Sequence, residues 1–142
     1  MATESEPKIE DFIAVAEFRS ALRHFLRRSE KIARRSGLTP QRYTLLMMIK
    51  GAPDGAEQST VTELADRMQL AQSTVTELVR RAESAGLIER EQSQRDARVA
   101  HLRLTQEGSR RLMLSFTELE TERAQLREAF SNLDGGVTGV GH

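Results

Sequence analysis

A chain of 142 residues suits one domain of ordinary size, long enough to bury a core without covalent staples. With no cysteine it has no disulfide, thiolate zinc site or thiol redox switch, and 38% hydrophobic, 30% charged and only 4% aromatic residues fit a helix-rich soluble chain better than a β-sandwich. Lysine plus arginine and aspartate plus glutamate each number 21, so no net charge attracts a polyanion and any nucleic-acid contact must come from local basic patches.

Residues 1–7 read as a disordered lead. From about Lys8, the residues Phe12, Val15, Phe18, Leu22, Phe25 and Leu26 recur at three- and four-residue spacing, which predicts an amphipathic helix to about Ser36, stopped by Gly37. Its other side carries Arg19, Arg23, Arg27, Arg28, Lys31, Arg34 and Arg35, read as a solvated face. Thr39 and Pro40 form a cap followed by Pro at the first helical position, and YTLLMMI after them is apolar nearly all round, so this second helix is central and buried. GAPDGAEQS is a loop. Thr60 and Glu63 have capping-box spacing and open a short helix through Met68, with Leu64, Ala65 and Met68 facing inward. After Gln69-Leu70-Ala71 another helix runs to about Ala85, with Val75, Leu78, Val79 and Ala82 on one side, and Gly86 ends it. Leu87 to Glu91 and Val99 to Leu104 form a hairpin joined by SQRDAR. Thr105 caps a last long helix in which Leu112, Phe116, Leu119, Leu126 and Phe130 make a near-heptad seam interrupted by Arg123, and the Gly-rich tail 131–142 is flexible.

Helix, short turn, helix and β-hairpin between residues 60 and 104 is the winged helix-turn-helix order, in which the second helix enters the major groove of double-stranded DNA. Its exposed side holds Gln72, Ser73, Thr74, Thr76, Glu77, Arg80 and Arg81: short donors near the N-terminus and guanidiniums farther on, a chemistry suited to base edges and phosphates. Glu77 could accept from a cytosine amino group or pair with Arg81 four residues on. In the hairpin tip, Arg95 and Arg98 can enter a narrow A·T-rich minor groove, whereas Asp96 would repel phosphate unless paired.

These residues carry a family resemblance. TVTELADRMQLAQSTVTELVRRAESAGLIEREQSQRDARVAHLRLTQEGSRRL resembles the core of the MarR family of winged helix-turn-helix transcriptional regulators: Leu-Ala in the first helix, Ser-Thr-Val-Thr in the recognition helix, and the Gly-Leu-Ile-Glu-Arg exit. Asp96 and Arg98 match the wing's Asp-x-Arg motif, LTQEG matches the start of the fifth helix, and with GLTPQRYTLL the likeness extends over nearly the whole chain. It implies a mainly α protein with a small β-hairpin wing, a single domain over 1–142 with dimerisation helices at 8–36 and 105–130 and a DNA-binding lobe at 38–104. It also implies a homodimeric, cytoplasmic repressor on a pseudo-palindromic operator, with Asp96 holding Arg98 extended. Two departures stand out: Ala71 occupies the cap position before the recognition helix, and the C-terminal helix is reduced to a short Gly-rich end.

In proteins of the family it resembles, small ligands, often aromatic acids, bind between the dimer helices and the DNA-binding lobe, which implies a small aromatic carboxylate as effector. Arg19, Arg23, Tyr43, Met47 and Phe116 are the candidates to line such a crevice, although surface charge or core explains each more simply. His24, His101 and His142 have no zinc spacing, no phosphate loop or nucleophile elbow is visible, and neither a cofactor nor catalysis is expected. The polar start MATESEPKIED and the lack of a long apolar run predict no signal peptide and no membrane partner. The rival to a DNA-binding regulator is a winged-helix protein-interaction module without DNA binding.

Overall fold

A computed structural model describes residues 5–134. The element order is α1 (Ile9–Arg35), α2 (Pro40–Lys50), β1 (Gln58–Ser59), α3 (Val61–Met68), α4 (Gln72–Ser84), β2 (Ile88–Gln92), β3 (Ala100–Leu104), α5 (Gln106–Glu118) and α6 (Glu120–Asn132). Among the described residues no helix is long and apolar enough to cross a membrane. The chain divides into two compact units, one holding residues 32–116 and the other 5–31 with 117–134.

The 32–116 unit has a closed apolar core. Leu45, Leu46 and Ile49 of α2, Leu64 of α3, Val75 and Val79 of α4, Leu87 and Leu102 are all 0% exposed. The all-round apolar stretch of α2 thus sits at the centre, as its sequence requires. Thr39 caps α2 by accepting from the Arg42 amide at 3.1 Å, with Pro40 as the first helical residue. The predicted capping box closes α3, with Glu63 N donating to Thr60 Oγ1 at 3.2 Å and Thr60 N donating to Glu63 Oε1 at 2.8 Å. Gln69, in the left-handed region at φ 55°, reverses the chain between α3 and α4.

The wing contains one more strand than the sequence suggests. β1 pairs antiparallel with β3, Gln58 opposite Arg103 and Ser59 opposite Leu102, and β3 pairs with β2 from Ile88 opposite Leu104 to Gln92 opposite Ala100, giving the order β1-β3-β2. Two residues inside a Gly- and Pro-punctuated segment leave no alternation to read, so the pairing is supplied by β3. Gly86, at φ +75°, makes the turn from α4 into β2. Gly108 serves a close approach: a Cβ there would lie 2.1 Å from the Leu87 carbonyl oxygen, so α5 packs against the start of β2 only through a glycine.

The expected single C-terminal helix is two. α5 stops at Glu118, Leu119 takes φ −98° and ψ 13° with its side chain 1% exposed, and α6 begins at Glu120. No glycine or proline marks the break, which falls at the buried Leu119. The near-heptad seam is therefore not continuous: Leu112 and Leu119 are buried, while Phe116 and Phe130 are 40% and 60% exposed. The C-terminal helix is likewise not reduced to a Gly-rich end, since α6 runs to Asn132. Residues 135–142, including His142, lie outside the described residues. In the second unit the Phe18 and Phe130 rings meet edge to face, centroids 5.9 Å apart at 62°. Arg28 pairs with Glu122 there at 3.6 Å.

Candidate nucleic-acid interface

Recognition-type geometry begins with how α4 is held. Val75, Leu78, Val79 and Ala82 are buried along one side, which fixes the rotation of the helix and leaves Gln72, Ser73, Thr74, Thr76, Arg80 and Arg81 exposed on the other. The first-turn amides at Ala71 receive no side-chain cap, in keeping with the alanine there. Gln72 reaches back, its Nε2 3.4 Å from Thr62 Oγ1, so this candidate base reader is shared with α3.

Glu77 forms the pair with Arg81 that the sequence offers as one alternative, and adds a stronger one. Its main partner is Arg80, whose Nε donates to Oε2 at 3.0 Å and Nη2 to Oε1 at 2.5 Å, and Arg81 Nε adds a third bond to Oε1 at 3.1 Å. The Arg80 hydrogen bonds, first of all, hold the Glu77 carboxyl below the usual carboxylate range.

At the wing tip, Ser93 N donates to the Val99 carbonyl at 2.9 Å and closes the hairpin. Asp96 accepts from the Arg98 backbone amide at 3.0 Å and grips its guanidinium with two bonds, Nε to Oδ1 at 3.1 Å and Nη2 to Oδ2 at 3.2 Å. That pairing lowers the Asp96 pKa, with the Arg98 side-chain bond the leading cause. The Arg98 side chain is 91% exposed, so the acid holds it without burying it, and Arg95 is exposed beside it. The charge of Asp96 at the wing tip is thus offset by its neighbour.

Two positioning contacts carried no sequence signal. Arg90 of β2 forks onto Glu83 of α4, Nε to Oε2 at 3.2 Å and Nη2 to Oε1 at 2.8 Å, tying the wing to the recognition helix. Arg67 of α3 donates to the carbonyls of Met48 at 2.7 Å and Gly51 at 3.2 Å, covering the C-terminal end of α2. Seven residues separate the first pair and at least sixteen the second, spacings no local pattern reads.

The ligand candidates fall in both units. Arg19 and Arg23 line an open groove of about 660 Å³ with Val15, Phe18, Leu22 and Leu26. Tyr43 is buried in the 32–116 core, Met47 is half-buried and Phe116 is partly exposed. Among the described residues no group of three or more His, Cys, Asp or Glu is placed to hold a metal ion.

No curated protein matches the sequence. Among solved structures, a MarR family transcription regulator superposes with a TM-score of 0.67 at 23% identity, covering 90% of this chain and 82% of its own. A mutant MarR from E. coli complexed with operator DNA gives 0.66 at 17% identity, covering 86% and 89%. A MepR mutant from S. aureus bound to an oligodeoxyribonucleotide gives 0.63 at 19% identity, covering 87% and 91%. Likeness at these identities establishes the fold. The sequence itself matches the MarR family model over residues 36–99, the stretch that holds α2, α3, the recognition helix and the wing tip. Over that stretch the chain is similar to the MarR family, and it shares the winged helix-turn-helix fold of the MarR structures above.

Proposed function

We propose that this protein is a sequence-specific repressor that binds a pseudo-palindromic operator as a homodimer. The observation that carries the reading is α4, which buries four apolar residues and turns a row of hydroxyl, amide and guanidinium groups outward, with an exposed Arg98 at the wing tip. Two of the structures it resembles hold DNA. In this reading Gln72, Ser73, Thr74, Thr76 and Arg80 meet the major groove, and Arg95 and Arg98, steadied by Asp96, meet the minor groove. Catalysis has no part in it, the family being one of regulators.

Dimerisation supplies the second half-site. Ile9, Phe12 and Ile13 of α1 and Phe130 of α6 are 54–67% exposed in the single chain, an apolar surface that a second copy would cover. A twofold dimer must then set its recognition helices roughly 34–36 Å apart to reach successive major grooves. A small aromatic carboxylate would act by favouring a dimer of a different spacing. Arg19 and Arg23, which line an open groove with Leu22 and Leu26, are the residues to hold its carboxylate.

The test is a mobility shift against genomic fragments over a salt series. A regulator retains selected fragments and loses them as salt rises, whereas a protein-interaction module retains none. Arg98→Ala should weaken binding mainly to operators with A·T-rich flanks. Titration of salicylate-like and cinnamate-like acids into the complex tests the effector: if none releases DNA at millimolar concentration, that part is wrong and the DNA-binding part stands.

A further inference from the structure

Glu77 sets a puzzle for a DNA-reading surface. It places a carboxylate in the middle of the outward side of α4, where phosphates would approach, yet it is no bystander: it accepts two hydrogen bonds from Arg80 and one from Arg81. The Arg80 and Arg81 side chains are 66% and 62% exposed and Glu77 42%, so the trio stands at the surface and serves no core.

A guanidinium has five N–H donors. Arg80 spends its Nε hydrogen and one Nη2 hydrogen on Glu77, so the edge formed by Nη1 and the other Nη2 hydrogen lies outside the pair. That outer edge is the fork that matches the O6 and N7 acceptors of guanine in the major groove. An unheld arginine reaches a phosphate as readily as a base, because its stem rotates freely and a phosphate satisfies the charge. The carboxylate also offsets one of the two positive charges, and this limits how far sequence-independent attraction can dominate.

We infer that Glu77 is a specificity-determining residue, a buttress that fixes Arg80 so that its outer guanidinium edge reads a guanine while phosphate contacts by Arg80 and Arg81 are held down. The inference rests on the DNA-binding reading above and adds to it a cost in affinity accepted for discrimination.

The experiment is selection from a randomised duplex library with the full-length protein, followed by titration of the best duplex and its single-base variants across roughly 50–200 mM salt. Wild type should prefer guanine at one position of each half-site by about 5- to 100-fold. Glu77→Gln should bind random duplex more tightly, steepen the salt dependence by about one phosphate contact and lose most of that preference. Arg80→Lys keeps the charge but not the fork, and should lose the preference with little change in salt slope. In an Arg80→Ala background, Glu77→Gln should no longer alter base preference. A uniform gain in affinity with the guanine preference intact would make Glu77 a mere electrostatic brake and overturn the proposal. So would a cytosine preference that persists in Arg80→Ala, which would mean Glu77 reads the base itself. If wild type enriches no sequence, the DNA-binding reading falls and this one with it; if it does and Glu77→Gln leaves its preferences unchanged, only the buttress falls.

Discussion

The two units of this chain solve the burial problem in opposite ways. Residues 32–116 close a core in which α2, α3, α4 and the sheet leave Leu45, Leu64, Val75 and Leu102 fully covered. In residues 5–31 and 117–134 large apolar side chains stay in the open, Ile9 at 67%, Phe12 at 63% and Phe130 at 60% exposed. One unit encloses a core; the other leaves the start of α1 and Phe130 of α6 uncovered in the single chain. The lesson is that apolar periodicity marks a face to be covered, but not by what. In α4 the stripe meets its own chain, and at the start of α1 it does not.

Truncating the closed core should have the largest effect. Leu64→Ala, at a side chain 0% exposed, should lower stability by about 2–5 kcal/mol, read from denaturant midpoints with the slope unchanged. A loss below 1 kcal/mol would mean the core is less closed than its burial implies. Phe12→Ala sharpens the contrast. In a chain that stays single, an exposed substitution of this kind changes stability by no more than about 0.5 kcal/mol. Where a second copy covers Phe12, the loss should approach about 1.5–3 kcal/mol per chain and the thermal midpoint should depend on protein concentration. Sedimentation at micromolar concentration decides between them, and a wild-type monomer would break the comparison.

Smaller effects separate the starts of α3 and α4. Thr60→Ala removes a reciprocal capping box and should cost about 0.5–2 kcal/mol, while Ala71→Ser supplies a cap that α4 lacks and should add about 0.5–1 kcal/mol. Thermal melts of both variants check the signs. The least effect is expected at Glu107, half-buried on α5, whose pKa the hydrogen bonds of Arg110, then Arg111, lower to about 2 from an ordinary 4.5. A depressed carboxylate contributes stability that is full above its unfolded value and fades as the pH falls through the folded one. The thermal-midpoint gap between wild type and Glu107→Gln should therefore be constant above about pH 4.5 and close toward pH 2. A gap independent of pH would show that packing, not charge, carries it.

Most of the fold was legible because its signals are local. Thr39-Pro40, Thr60 with Glu63 and Gly86 announce their helix ends through hydrogen bonds and backbone angles that span at most four residues. The outward row of α4 follows from the 3.6-residue period once its four buried residues are known. The Asp96–Arg98 pair is what the family resemblance implies, whereas for Glu77 the sequence allows Arg81 or a base, and the structure adds Arg80, three residues on.

What the sequence by itself determined is the order of helices and strands, their caps and the face each helix buries, since these depend on interactions within one or two turns. Only the tertiary structure decided the two-residue strand β1, which exists because β3 offers it partners, and the break at the buried Leu119, which no glycine or proline announces. It also decided that Arg67 would close the end of α2 and Arg90 would brace α4. The reason is common to all four: each joins residues whose approach is fixed by how whole elements pack, and a long polar side chain or a short strand shows no preference for a distant partner until packing brings it within reach.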